Sequence, residues 1–452
     1  MTRLPFWFKR VLMIAGVMLV IPGLVFILVY CLVIPVLMTE GDPGDALIVS
    51  VVTLVFLALT LGAGLMLLIH SSRSVRGVPS AVLRLPKLWI LLGAFGICVV
   101  LGGAIVTYHI LEELLFPPLF LIAAALPPLW AVTWFFGCDA QDGAGLTWRR
   151  GLLAFSGGAT VSVFIALILE ILAPAFVLSL VRGLADVVGD QVSELISALA
   201  NHDLAEALTR PGFLYAFAHL ALIAPLAEEF AKPLVTLPLL KRLSRREAFW
   251  VGALAGAGFA ALENVLYAGF GFYLWTGILV LRAIGSAIHP LGAGLVALAW
   301  RDLLCSSGNP RVWREALKRF GIAAGMHALW NGGALIVITL GGARFFGELP
   351  PEIDLLGLST GGTLLALLIV LGLGALWAGR MIGTALSQPP VVTPATGAPA
   401  DTDALSAVSA PGAPATDALP VFSDRALAIW ALACLVMIVP AGITGLKLLF
   451  WR

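Results

Sequence analysis

The chain has 452 residues, of which 60% are apolar and only 12% charged, with a formal net charge of +1. Soluble domains are nearer half apolar with about a quarter of residues charged, so this composition, with a mean hydropathy of +1.02, describes an integral membrane protein. The net charge says nothing about partners and no Lys/Arg-rich run suggests nucleic acid, while the five scattered cysteines (Cys31, Cys98, Cys138, Cys305, Cys434) offer neither metal-ligand spacing nor a disulfide framework.

Taken in chain order, apolar runs long enough to cross about 30 Å of hydrocarbon fall near 11–37, 46–70, 88–111, 114–136 and 151–181, then 213–240, 248–270, 272–299 and 320–340, then 355–379 and 426–450. The expected architecture is therefore an all-α, polytopic transmembrane bundle of about eleven spans, a number set by the length of helix the hydrocarbon demands. The first run follows Arg3 and Lys9-Arg10 and has no small-residue cleavage site, so it reads as a retained span.

Loop charge gives an orientation. Lys9-Arg10, Arg73, Arg76, Arg84 and Lys87, Arg149-Arg150, Lys241, Arg242, Arg245 and Arg246, and Arg311, Arg314, Lys318 and Arg319 fall on one side, while the alternate loops are acidic or neutral. The positive-inside rule then places the N-terminus in the cytoplasm.

Residues 1–181 hold about five spans, 213–340 four, 341–383 one more and 425–452 the last. Between them, 182–212 reads as an amphipathic extracytoplasmic segment, with Val188, Val192, Leu195, Ile196 and Leu199 among acidic residues. Residues 384–424, rich in Pro, Ala, Thr, Ser and Asp without a helical period, read as a disordered cytoplasmic linker.

The unusual polar residues gather in spans six to nine; the first five and last two read as almost bare of them. Span six carries Glu228, Glu229 and Lys232; span seven Glu263, Asn264 and Tyr267; span eight Arg282, Ser286 and His289; span nine His327 and Asn331. Intramembrane charge is expensive and marks watery cavities where chemistry or transport occurs. Helical period places Glu228 and Lys232 on one face, His327 and Asn331 on another, and Arg282, Ser286 and His289 on a third, while Glu229 turns about 100° from Glu228. Rise per residue puts Glu228, Glu263, His289, His327 and Asn331 within roughly 6 Å of the bilayer centre, so four helices are expected to form a catalytic core at one level.

Glu-Glu-x-x-Lys at 228–232, Gly-Phe-Ala-x-x-Glu-Asn at 258–264, the segment from Arg282 to His289-Pro290, and His327-Ala-Leu-Trp-Asn331 together resemble the PrsW family of intramembrane proteases, related to the CAAX prenyl endopeptidases and bacteriocin-processing enzymes. The wider superfamily ends the second motif in histidine, where this chain has Glu263. The resemblance covers about 210–340 and implies hydrolysis of peptide bonds in a membrane-anchored protein substrate. It also suggests a bacterial inner membrane.

For that chemistry, Glu228 or Glu229 serves as general base toward water, and His289 or His327 orients the water or protonates the leaving amine. Asn331 supports the oxyanion, and Glu263 completes the catalytic set. Lys232, Asn264 and Arg282 are supporting residues. The favoured reading requires no metal; zinc held by Glu229, Glu263, His289 and His327 is the other version. Neither Gly-x-Ser-x-Gly nor His-Glu-x-x-His occurs. An ion- or proton-coupled transporter using the same midplane residues is the competing class, with a non-enzymatic scaffold third.

Overall fold

The structure is a computed structural model and describes residues 6–40, 43–137, 146–170, 190–191, 211–270, 274–306, 308–345, 354–355 and 358–387. Among these, helices dominate, and the β-structure comprises a two-residue antiparallel ladder pairing Asp354–Leu355 with Leu358–Ser359 and an isolated bridge between Val82 and Thr147. Among the described residues, eight helices are long and apolar enough to cross a membrane, or nine when one bent pair counts as a span. The expected number was about eleven. The segment at 426–450, the linker beyond residue 387 and almost all of 182–212 lie outside the described residues, and the segment at 213–240 is broken rather than continuous.

The N-terminal layer is α1 (Phe6–Glu40), α2 (Pro43–Leu57) and α3 (Ala63–Val75), the last two joined by a π-helical turn at Ala58–Gly62. Small residues set its close crossing: a Cβ on Gly16 would meet the Leu68 backbone at 2.7 Å, and one on Gly64 the Val20 nitrogen at 2.9 Å. Helices α4 (Leu88–Thr107) and α5 (Glu112–Phe136) are linked by a turn in which His109 and Leu111 adopt positive φ. Helix α6 (Trp148–Gly157) continues through a π turn at Gly158–Ser162 and stays helical to Glu170.

Next, α7 (Pro211–Ala218), a π turn (His219–Ile223) and α8 (Ala224–Ala231) run on without interruption. The helix ends at Lys232-Pro233, because proline lacks the N–H that would continue the ladder. A 3₁₀ turn (Leu234–Thr236) and the single-turn α9 (Leu237–Leu240) follow. Among the described spans, helix α10 (Arg245–Phe270) is the most deeply enclosed. Helices α11 (Trp275–Ile284) and α12 (Ile288–Cys305) meet at a 43° bend. Helix α13 (Pro310–Phe345) and α14 (Thr360–Ser387) complete the described bundle, so residues 384–387, assigned to the linker from sequence, are helical.

Two glycines of α10 bring its backbone against α12: a Cβ on Gly252 would sit 2.6 Å from the Ala293 carbonyl oxygen, and one on Gly256 2.7 Å from Ala293 Cβ. Gly258 likewise abuts the Phe155 carbonyl of α6. The Gly321/Gly325 pair of α13 has nothing within 4 Å, so that spacing serves no helix contact within the described residues. The bend between α11 and α12 is pinned from outside: Trp130 Nε1 donates to Ser286 Oγ at 2.8 Å, and the Trp330 indole lies against Gly285. Ser286 thus belongs to the bend and its hydroxyl is engaged with α5, apart from the face it was expected to share with Arg282 and His289.

Candidate active site

The break after α8 leaves Glu228 and Glu229 on the last helical turn and Lys232 in the break itself, all three buried. Lys232 Nζ lies 2.5 Å from Glu229 Oε1 and 3.1 Å from Glu228 Oε2. One ammonium therefore serves both carboxylates. Adjacent residues on an α-helix diverge by about 100°, and a long flexible side chain starting one turn later spans that gap.

A second cluster is built by α10, α11 and α12. Arg282 donates through Nε to Asn264 Oδ1 at 2.7 Å and through its terminal nitrogen to Glu263 Oε2 at 2.7 Å. Asn264 in turn donates to the Ala124 carbonyl of α5 at 2.9 Å, tying the cluster to a neighbouring span. His289 Nε2 lies 3.0 Å from Glu263 Oε2 and 3.1 Å from the same guanidinium. The guanidinium also stacks over the Tyr267 ring at 5.1 Å.

His327 of α13 joins the clusters. Its Nδ1 lies 3.1 Å from Glu229 Oε1 and 3.4 Å from Lys232 Nζ, while Nε2 points toward Glu228 Oε2 at 3.6 Å. The His289 and His327 rings stand edge to face with centroids 4.5 Å apart. Glu229 Oε2, Glu263 Oε1, His289 Nδ1 and His327 Nε2 are buried with no hydrogen-bond partner, while Glu228 Oε2 is met by the Lys232 ammonium. Orphaned buried polar atoms are costly and rare, so four in one place point to something that satisfies them.

Ligand-type atoms from Glu228, Glu263, His289 and His327, one from each, lie within 4.8 Å of one another. Two carboxylates and two imidazoles are donors that suit zinc. This donor group contains Glu228, whereas the sequence reading had put Glu229 in the metal set; Glu229 stands behind it, against His327 Nδ1. Its Oε2 fits against the bare Cα of Gly292, where a Cβ would collide with the carboxylate.

Of the other residues singled out from sequence, Asn331 does not share in these contacts: its Nδ2 donates to the Leu220 carbonyl at 3.2 Å, within the π turn between α7 and α8. A π turn leaves carbonyls out of register, and Asn331 satisfies one of them. Sequence reasoning passed over Glu170. This carboxylate, at the described end of the α6 span, lies within Coulombic range of Glu228, Glu263 and Lys232. The signal was available, because an acidic residue inside an apolar run is a functional candidate by default.

Fold and site together define a polytopic membrane protein with a buried centre of carboxylate, imidazole and paired cations. A protein-family model described as PrsW family intramembrane metalloprotease matches residues 147–350, so this segment is similar to that family. The chain thus carries an intramembrane protease domain, which begins one span earlier than the motif-bearing core at 213–340 and so takes in α6 with Glu170. No curated protein and no solved structure matches the chain.

Proposed function

We propose that this protein hydrolyses peptide bonds of membrane-anchored proteins with a zinc-type centre held by Glu263, His289 and His327, and with Glu228 as general base. The observation that carries the reading is the convergence of four buried donor side chains from four helices within 4.8 Å. Four protein ligands would close a tetrahedral site, whereas a catalytic one keeps a position open. Two imidazoles and one carboxylate satisfy that rule and release Glu228 for proton transfer. The same donors, with the family's description as a metalloprotease, favour this version over the metal-free glutamate mechanism.

When bound, the cation supplies Lewis-acid chemistry toward water and the scissile carbonyl. The chain's own residues do the rest. Glu228, whose Oε2 faces the donor group beside the Lys232 ammonium, accepts the proton of the attacking water and delivers it to the leaving amine. Glu229 holds His327 Nδ1 so that Nε2 faces the centre, the outer-sphere arrangement that fixes an imidazole's tautomer and orientation. Arg282 plays the equivalent part for Glu263. Lys232 offsets the charge of the paired glutamates, and Asn331 acts on the π turn of α7–α8. We further propose a bacterial inner membrane with the N-terminus in the cytoplasm, on the one-sided placement of the basic loops.

Glu228→Gln, Glu229→Gln and His327→Ala variants expressed at wild-type levels test the reading. Each is expected to accumulate uncleaved membrane-anchored proteins in a comparative proteomic survey. Unchanged fragments in all three would overturn it.

A further inference from the structure

Lys232 is held in place by contacts that do not depend on the catalytic centre. Its backbone N–H donates to the Glu228 carbonyl at 2.8 Å, its carbonyl accepts from Ser162 Oγ at 2.9 Å, and its ammonium stands 4.6 Å over the Phe259 ring. The side chain is wholly buried. From that position it reaches two carboxylates, one of them the Glu228 oxygen that faces the donor group.

A charge count gives this placement a consequence. Glu170, Glu228, Glu229 and Glu263 bring four negative charges when ionised and Lys232 and Arg282 two positive ones, which leaves two negative charges when both imidazoles are neutral. A divalent cation would balance these. Without Lys232 the same centre carries three negative charges alone and one with the cation. The cost of buried net charge rises faster than the imbalance itself, so each counter-ion weakens the case for the other.

We infer that Lys232 is a built-in counter-ion that competes electrostatically with a divalent cation at this centre, holding cation affinity down while making the fold independent of the cation. This rests on the metal-centre reading above. A plain structural ion pair would make a different pattern, because losing it would weaken the protein equally with and without metal.

The test compares full-length wild type with Lys232→Met, which keeps an unbranched apolar stem and removes the ammonium. Thermal unfolding in detergent is followed in excess chelator and in buffered zinc, and zinc affinity is read by competition with a chromophoric chelator. The variant is expected to bind zinc about tenfold tighter or more, from removal of a positive charge next to the site. Its midpoint should fall in chelator, with a larger zinc-induced rise than in wild type. Equal losses in both conditions, or unchanged or weaker zinc affinity, would overturn the role assigned to Lys232 and leave the metal centre standing. A wild type that binds no zinc and shows no shift removes the metal centre itself and this inference with it. Should Lys232→Met fail to accumulate, the Glu228→Gln/Lys232→Met double variant restores the original charge balance and is expected to accumulate; its failure would show that charge balance is not what the fold takes from Lys232 and would overturn the counter-ion role.

Discussion

The Glu229 carboxylate rests on the bare Cα of Gly292, one helix placing an acid where another has no side chain. The absence of a Cβ at 292 and the orientation of His327 are therefore linked through Glu229. Gly292→Ala would displace Glu229 and loosen His327, lowering peptidase activity on the scale of an outer-sphere ligand loss, about 10–100-fold. Gly325→Ala is the control. Its position is exposed with nothing within 4 Å, so activity should hold and stability rise by roughly 0.5–1 kcal/mol from helix propensity. Cleavage of a membrane-anchored reporter and detergent unfolding read the two effects.

Glu228→Gln separates proton transfer from metal binding. Loss of a general base costs about 10²–10⁴-fold in rate. Because the proposed ligands remain, zinc stoichiometry should stay near that of wild type, while His327→Ala should lose zinc and activity together. Metal content of purified variants, measured beside turnover, decides this; retained zinc in His327→Ala would contradict the ligand assignment.

Chelation should abolish cleavage by wild type, and zinc should restore it. The purified protein should carry about one zinc per chain, the stoichiometry of a single set of three protein donors with one position open. Full activity in protein shown by metal analysis to be zinc-free would return the mechanism to the glutamates alone.

Arg282 is the partner of Glu263 and Asn264 at once. Arg282→Met leaves the Glu263 carboxylate buried without its cation, and should destabilise the protein by about 3–5 kcal/mol. Arg282→Lys should recover only part of this, since an ammonium lacks the planar fork that reaches both residues. Chemical unfolding of the two variants in one detergent compares them; full recovery by lysine would show that charge alone suffices.

Asn331→Ala should remove the tie to the Leu220 carbonyl and cost about 0.5–1.5 kcal/mol, the net worth of one hydrogen bond. Activity should change little. A fall in activity with stability intact would return Asn331 to the oxyanion role its position four residues after His327 suggested.

Much of this molecule was written in local sequence. Hydropathy alone determined a helical membrane protein, because a helix is the way a lone chain satisfies its backbone in hydrocarbon. Residue spacing put Glu228 and Lys232 within reach of each other, and the polar residues of each span were legible in its own segment. Both are properties of a single helix. The tertiary structure decided what lies between helices: that Glu228 rather than Glu229 turns to the donor group, that Ser286 is spent on a bend and Asn331 on a π turn, and that Glu170 comes within range of the centre. Those outcomes depend on how far each helix rotates about its own axis and where it breaks. Rotation and breakage are fixed by packing against partners distant in the chain, such as Trp130 against Ser286 and Gly292 beneath Glu229.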